Sequence, residues 1–76
     1  MKVQVTEEDI AKGVPLKIHK CPVARAIARV VGKEVRVANL SYSFDGSEFP
    51  LPSVAIDFIA DFDIGRPVQP FEFELP

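Results

Sequence analysis

The chain is short of the residues from which reactive and metal-binding sites are most often built. Its 76 residues include one cysteine, one histidine, no tryptophan and four isolated glycines. A single cysteine excludes an internal disulfide and a cysteine-rich zinc site, and isolated glycines form no phosphate-binding loop. Residues 1–76 contain no signal-peptide pattern and no apolar run of about 18 residues. We therefore expect a protein of the cytosol with no membrane partner.

Hydrophobic residues make up 47% of the sequence, which predicts one ordered domain over residues 1–76 with a small core. The net charge of −2 is unevenly distributed. Residues 1–38 carry eight Lys/Arg and four Asp/Glu, a net +4, whereas residues 39–76 carry one and seven, a net −6. Either these charges pair across the folded surface, or the fold has an acidic face directed at a basic partner.

The clearest local pattern is a run of apolar residues at helical spacing near the middle of the chain. Pro22 suits the first position of a helix, and Gly32 suits a left-handed end. Together they predict a helix over residues 22–31. Arg25 and Arg29, four residues apart, are expected on its outer face.

Alternating apolar and polar residues predict short strands, within residues 1–6, 34–38, 40–49 and 71–75. Thr6 is expected to cap a brief acidic turn, and Ser53 a second helix over roughly 54–63. The alternation changes phase near Asn39, and Asp45-Gly46 is typical of a two-residue hairpin turn. The chain reverses at Asn39, at Asp45-Gly46, or at both.

The resulting order, β-α-β-β-α-β, predicts an α+β domain. It is the order of a ferredoxin-like split βαβ sheet with both helices on one face and the two terminal strands side by side. The connector before the first helix contains Leu16 and Ile18, which we expect to pack against the core.

Reactive side chains gather only at His19 and Cys21. A thiol at a helix N-terminus beside Lys20 has reasons for a lowered pKa, and a Cys–His pair is the minimum for nucleophilic catalysis. No orienting acid or amide is evident, however, and free cysteine is usually buried. We therefore expect Cys21 to be a packing residue, and the alternative hypothesis at this position is a thiol-dependent enzyme or redox sensor.

Two charged clusters are candidate interaction surfaces. Asp57 and Asp61 lie four residues apart on the second helix and Asp63 follows, but no ligand-spaced loop surrounds them, so no metal is expected. Arg25 and Arg29 belong to a basic stretch that is the candidate for nucleic-acid binding. Against that hypothesis, the isoelectric point is about 5.2, and no strand carries the paired aromatic residues of RNA-binding sheets.

Three segments resemble a family of small proteins encoded by bacteriophages and by actinobacterial and related genomes. They are V-T-E-E-D-I-A-K-G near the start, C-P-V-A-R-A-I at Cys21–Ile27, and F-I-A-D-F-D-I-G-R-P-V-Q-P-F-E-F-E-L-P at the end. These segments make up 35 of the 76 residues, and the resemblance brings no catalytic residues with it. It implies a mobile-element context, in which small acidic proteins often bind and block a host protein.

The sequence thus predicts a non-enzymatic protein-interaction module without a cofactor, acting in the host cytosol as a binder or inhibitor. A host protein or complex is the expected partner, with nucleic acid as the second candidate. A homodimer through an edge strand such as Glu34–Ala38 is a further expectation.

Overall fold

The computed structural model describes residues 1–38 and 40–75, which contain three helices and five strands. In chain order they are β1 (Lys2–Val5), α1 (Glu7–Lys12), α2 (Pro22–Val31), β2 (Arg36–Ala38), β3 (Ser41–Phe44), β4 (Ser47–Pro50), α3 (Ser53–Asp63) and β5 (Phe71–Glu74). The mixture of helices and antiparallel strands confirms the α+β class.

Helix α2 has the predicted bounds because both of its end signals operate. At the start, Pro22 occupies the first turn as predicted, and the Sγ of Cys21 accepts a hydrogen bond from the Ala24 amide at 3.4 Å. At the end, Gly32 adopts a left-handed φ of 73°. The inward side chains, none of which has exposed surface, are Val23, Ala26 and Ile27. Helix α2 packs against α1, β1 and β2, so it is central to the core.

The first and last strands lie side by side, as predicted, and form a two-stranded sheet of their own. Strands β1 and β5 are antiparallel, with Val3 opposite Phe73, and both side chains are buried. The Leu75 amide extends the pairing by donating to the Met1 carbonyl oxygen at 2.8 Å. The alternating apolar residues of each strand therefore face the same core.

Strands β2, β3 and β4 form a second antiparallel sheet in that order. Asp45 and Gly46 join β3 to β4 with φ values of 53° and 78°, which is the geometry of a type I′ turn. The reversal predicted at Asp45-Gly46 is therefore confirmed. The predicted turn or bulge at Asn39 lies outside the described residues.

The arrangement differs from the expected ferredoxin-like sheet in two respects. The described strands form two sheets rather than one, and α1 is a third helix, since Thr6 caps it fully. The separation has a cause that is distant in the sequence. The outer edge of β2 is occupied by the connector, because the Val37 amide donates to the Ile18 carbonyl oxygen at 2.8 Å. The connector therefore lies where a further strand would extend this sheet, along the edge considered for a homodimer.

Candidate interaction surface

The arginines predicted to form an outer basic face on α2 bind a buried carboxylate. Asp9 has no exposed surface, and its Oδ1 accepts hydrogen bonds from Arg25 Nε at 3.3 Å and from Arg29 Nη2. The Thr6 amide donates to Asp9 Oδ2 at 3.0 Å, and the Asp9 amide donates to Thr6 Oγ1 at 3.2 Å. This capping box and the two guanidinium groups join α1 to α2. Arg25 and Arg29 are therefore structural partners of Asp9.

The charge of Asp9 is stabilised despite its burial. Burial alone raises the pKa of a carboxyl group, because it penalises the ionised form. Here the hydrogen bond from the Thr6 amide, together with the hydrogen bond and positive charge of Arg29, outweighs burial and lowers the pKa of Asp9 below its usual value. At neutral pH Asp9 is ionised and paired.

Cys21 and His19 have separate environments. Cys21 is 4% exposed, and burial raises the pKa of its thiol, outweighing the amide hydrogen bonds at the start of α2. This is opposite to the lowered pKa that its neighbours suggested. The His19 side chain is exposed, with Nδ1 lying 3.3 Å from the Val35 carbonyl oxygen and 4.0 Å from the Glu34 carboxylate. These contacts favour a packing role for the thiol.

Native Cys21 is expected to react slowly with iodoacetamide at neutral pH, because only the exposed thiolate is an effective nucleophile. We expect the rate to be at least about tenfold below that of the urea-unfolded chain. Mass spectrometry of the alkylated protein over time measures both rates. A native rate equal to or above the unfolded rate would instead support the thiol-enzyme or redox-sensor hypothesis.

The three aspartates of α3 do not share one face. Asp57 is exposed, and Asp61, one turn later, lies 3.7 Å from the Arg66 guanidinium. Asp63 points toward the connector, where its Oδ1 accepts a hydrogen bond from the Leu16 amide at 3.1 Å. Within residues 1–38 and 40–75, no three His, Cys, Asp or Glu side chains are grouped to hold a metal ion.

Pairing across the fold balances part of the uneven charge of the sequence, although most ion pairs of the described residues lie within one half of the chain. Lys2 lies 3.4 Å from Glu72, and Lys33 pairs with Asp45, so the basic first half meets the acidic second half. Six of the nine Lys/Arg side chains have a carboxylate within 4.0 Å. Among the described residues, the three without such a partner are Lys17, Lys20 and Arg36.

The unpaired lysines belong to a loop that we call the connector loop, Val14–Lys20. A hydrogen bond of 2.9 Å between its first amide and its last carbonyl oxygen closes it. Two further hydrogen bonds fix it to the body of the protein, one from Val37 to Ile18 and one from Leu16 to Asp63. The backbone of the loop is therefore held in place from both sides.

The connector loop exposes the apolar side chains that were expected to pack against the core. Leu16 is 76% exposed and Ile18 is 40% exposed, so the prediction for these two residues was wrong. The reason is that main-chain hydrogen bonds, rather than side-chain burial, anchor the loop. Leu16 also has a φ of 65°, which is unfavourable for a residue with a branched side chain and costs roughly 1–2 kcal/mol.

A groove of about 400 Å³ lies beside Leu16. Its lining residues are Leu16, Lys17, Ile18, Cys21, Val37, Ala38, Ile59 and Asp63. They come from four elements of the fold: the connector loop, the start of α2, strand β2 and helix α3. The groove therefore depends on tertiary structure, and together with the connector loop it forms what we call the connector surface.

Sequence reasoning missed both Asp9 and the connector surface. Asp9 was read as one of three acidic residues in a helix turn, and nothing local reveals that its partners lie 16 and 20 residues away. The connector offered one signal: its apolar residues alternate with Lys17 and His19 beside two helix-breaking positions. That alternation indicates an extended segment but leaves open which side faces solvent.

Comparison of the chain with protein-family models, with curated proteins and with solved structures gives no match. Among the described residues, no helix is long and apolar enough to cross a membrane. The function is therefore inferred from the geometry of the connector surface.

Proposed function

We propose that this chain is a non-enzymatic protein-interaction module that binds a host protein through the connector surface. The observation that carries the proposal is Leu16. It exposes a large apolar side chain from a left-handed backbone held by a hydrogen bond to Asp63. Unfavourable backbone conformations persist where the surrounding structure enforces them, and they cluster at functional positions.

The rigidity of the connector loop supports a binding role. Association requires side chains and loops at an interface to be ordered, and a loop already fixed before binding lowers that cost. The hydrogen bonds at Leu16 and Ile18 order the loop in the free protein. An exposed leucine alone is ordinary, but one beside a groove on a fixed loop is a suitable contact point.

The resemblance to small bacteriophage and actinobacterial proteins supports a host protein as the partner. Binding to such a protein in the cytosol would make this chain an inhibitor or modulator of it. The two charged clusters considered from the sequence give weaker support as binding surfaces, because most of their side chains are paired within the protein. Asp9 pairs with Arg25 and Arg29, and Asp61 lies beside Arg66.

Replacing Leu16 by glycine is expected to abolish capture of the partner without weakening the fold. Glycine adopts a positive φ without strain, and this gain offsets the greater freedom that glycine gives the unfolded chain. The free energy of unfolding should therefore change by less than about 1 kcal/mol. The measurement is a nuclease-treated pull-down from lysate of the source cells, quantified by mass spectrometry, with urea unfolding of each variant.

Two matched variants control this experiment. Val54→Ala removes exposed apolar surface from α3, where Val54 is 48% exposed and does not line the groove. Asp57→Lys with Asp61→Lys reverses the acidic pair of the same helix. Both variants should capture the same protein as the wild type. Unchanged capture by Leu16→Gly, or loss of capture only with the aspartate variant, would contradict the proposed surface. Capture that disappears with nuclease would favour the nucleic-acid hypothesis.

A further inference from the structure

The composition of the groove restricts what its partner can be, and this inference rests on the proposed function above. We propose that the groove receives an apolar side chain from an acidic segment of the partner protein, whose carboxylates pair with Lys17 and Lys20. The groove supplies the apolar part of the recognition, and the lysines supply the charge.

The apolar part follows from the lining of the groove. Ile18, Val37 and Ile59 contribute aliphatic surface, and the volume of about 400 Å³ is at the lower end of the range for ligand sites. A space of this size suits one or two inserted side chains. Among the described residues, Asp63 is the one carboxylate in the lining, and its Oδ1 already accepts a hydrogen bond from the Leu16 amide. Asp63 would repel an inserted acidic group and Lys17 an inserted basic one, so the inserted side chain should be uncharged.

The charge part follows from the unpaired cations. Residues 17–36 contain six Lys/Arg and one Glu, and Arg25, Arg29 and Lys33 of these are paired internally. Lys17 lines the groove, and Lys20 closes the same loop. Neither has a carboxylate partner within the described part of the chain. Complementary charge on the partner would speed association and fix its orientation.

The same cations could in principle attract phosphates, but the groove lacks what nucleic-acid sites usually add. Single-stranded nucleic acids are held by bases stacked on aromatic side chains. Within residues 1–38 and 40–75, no aromatic residue lines the groove. The rings of β3 and β4 stack on one another, with 5.3 Å between the centroids of Tyr42 and Phe49. The lining therefore favours a protein segment over a nucleic acid.

The test is a selection of random peptides displayed on phage against the immobilised full chain at physiological ionic strength. We expect the enriched peptides to be acidic and to share an aliphatic or aromatic residue. A fluorescently labelled enriched peptide is then titrated with each variant. Reversing Lys17 and Lys20 to glutamate should weaken its binding at least about tenfold. Reversing Lys2 and Lys12 is the matched control, because both pair with carboxylates elsewhere, and it should change binding less than about threefold.

Each other outcome has a definite meaning. Enrichment of neutral or basic peptides, or of acidic peptides that ignore the reversal of Lys17 and Lys20, would overturn the inference. So would tighter binding of a single-stranded oligonucleotide that displaces the peptide and depends on the same lysines. Selection of no peptide at all would also overturn it. If capture of a protein from lysate still depended on Leu16, the proposed function would remain supported. If neither the peptide selection nor the pull-down gave a partner, both the proposed function and this inference would be overturned.

Discussion

Replacing Asp9 by alanine is expected to lower the free energy of unfolding by about 2–4 kcal/mol. A chain of 76 residues has a total stability of roughly 4–11 kcal/mol, so this single change removes a large part of it. Equilibrium unfolding in urea, followed by far-ultraviolet circular dichroism, measures the difference. A loss below about 0.5 kcal/mol, the usual effect of a surface substitution, would contradict the role assigned to Asp9.

The size of this effect follows from what the alanine variant would lose and retain. It loses the reciprocal cap with Thr6, worth about 1 kcal/mol, and charge-assisted hydrogen bonds from Arg25 and Arg29, worth about 1.5–3 kcal/mol. Breaking a fully buried ion pair costs about 3–5 kcal/mol, because the remaining charge has no partner. Here the side chains of Arg25 and Arg29 are 32% and 48% exposed. They can turn toward water, which limits the cost.

Two further variants separate the charge of Asp9 from its shape. Asp9→Asn keeps an oxygen for the Thr6 amide but removes the charge, so we expect about half of the loss found with alanine. Glu8→Ala removes an exposed carboxylate of the same turn, paired with Lys12 at 3.4 Å, and should cost less than about 1 kcal/mol.

The pH dependence of stability provides an independent check on the charge. Because the pKa of Asp9 is lower in the folded state than in the unfolded state, its contribution is fully present above the unfolded pKa of about 3.9. It is lost as the pH falls through the folded pKa. The difference between wild type and Asp9→Asn should therefore be constant near neutral pH and shrink in acid. A difference that stays constant at low pH would assign the effect to shape alone.

The parts of the fold that could be predicted from sequence are those with local causes. The spacing of apolar residues and the glycine at its end gave α2 its bounds. Asp45-Gly46 specified the hairpin, because a type I′ turn needs two residues with positive φ. The organisation of the strands into two sheets has a long-range cause, the pairing of Ile18 with Val37. Local alternation carries no information about such pairing.

The candidate site was less predictable for the same reason. Arg25 and Arg29 were correctly placed on one side of α2, but their partner Asp9 comes from another helix. Leu16 and Ile18 were expected inside because apolar residues usually are. Their exposure results from hydrogen bonds to β2 and α3, which tether the loop by its backbone. The pattern of charged and apolar residues thus drew attention to these four side chains. It did not reveal the residues that each one contacts, and those contacts determine its role.

Ile27 tests the predicted inward face of α2, because truncating a fully buried side chain there should strongly destabilise the fold. It lies on the predicted inward face of α2 and has no exposed surface. Ile27→Ala is expected to lower the free energy of unfolding by about 2–5 kcal/mol, through lost burial and the cavity left in the core. Urea unfolding measures this loss, and a shift of the midpoint at unchanged slope would assign it to stability.

The matched control for Ile27→Ala is Ile64→Ala, because Ile64 is 67% exposed at the end of α3. The same chemical change at this surface position should alter stability by less than about 0.5 kcal/mol. Equal effects at the two positions would mean that α2 is not the centre of the core. Since α2 begins at the cap residue Cys21, which lines the groove, and carries both arginine partners of Asp9, a large loss at Ile27 alone would show that the helix beside the connector surface also supports the core.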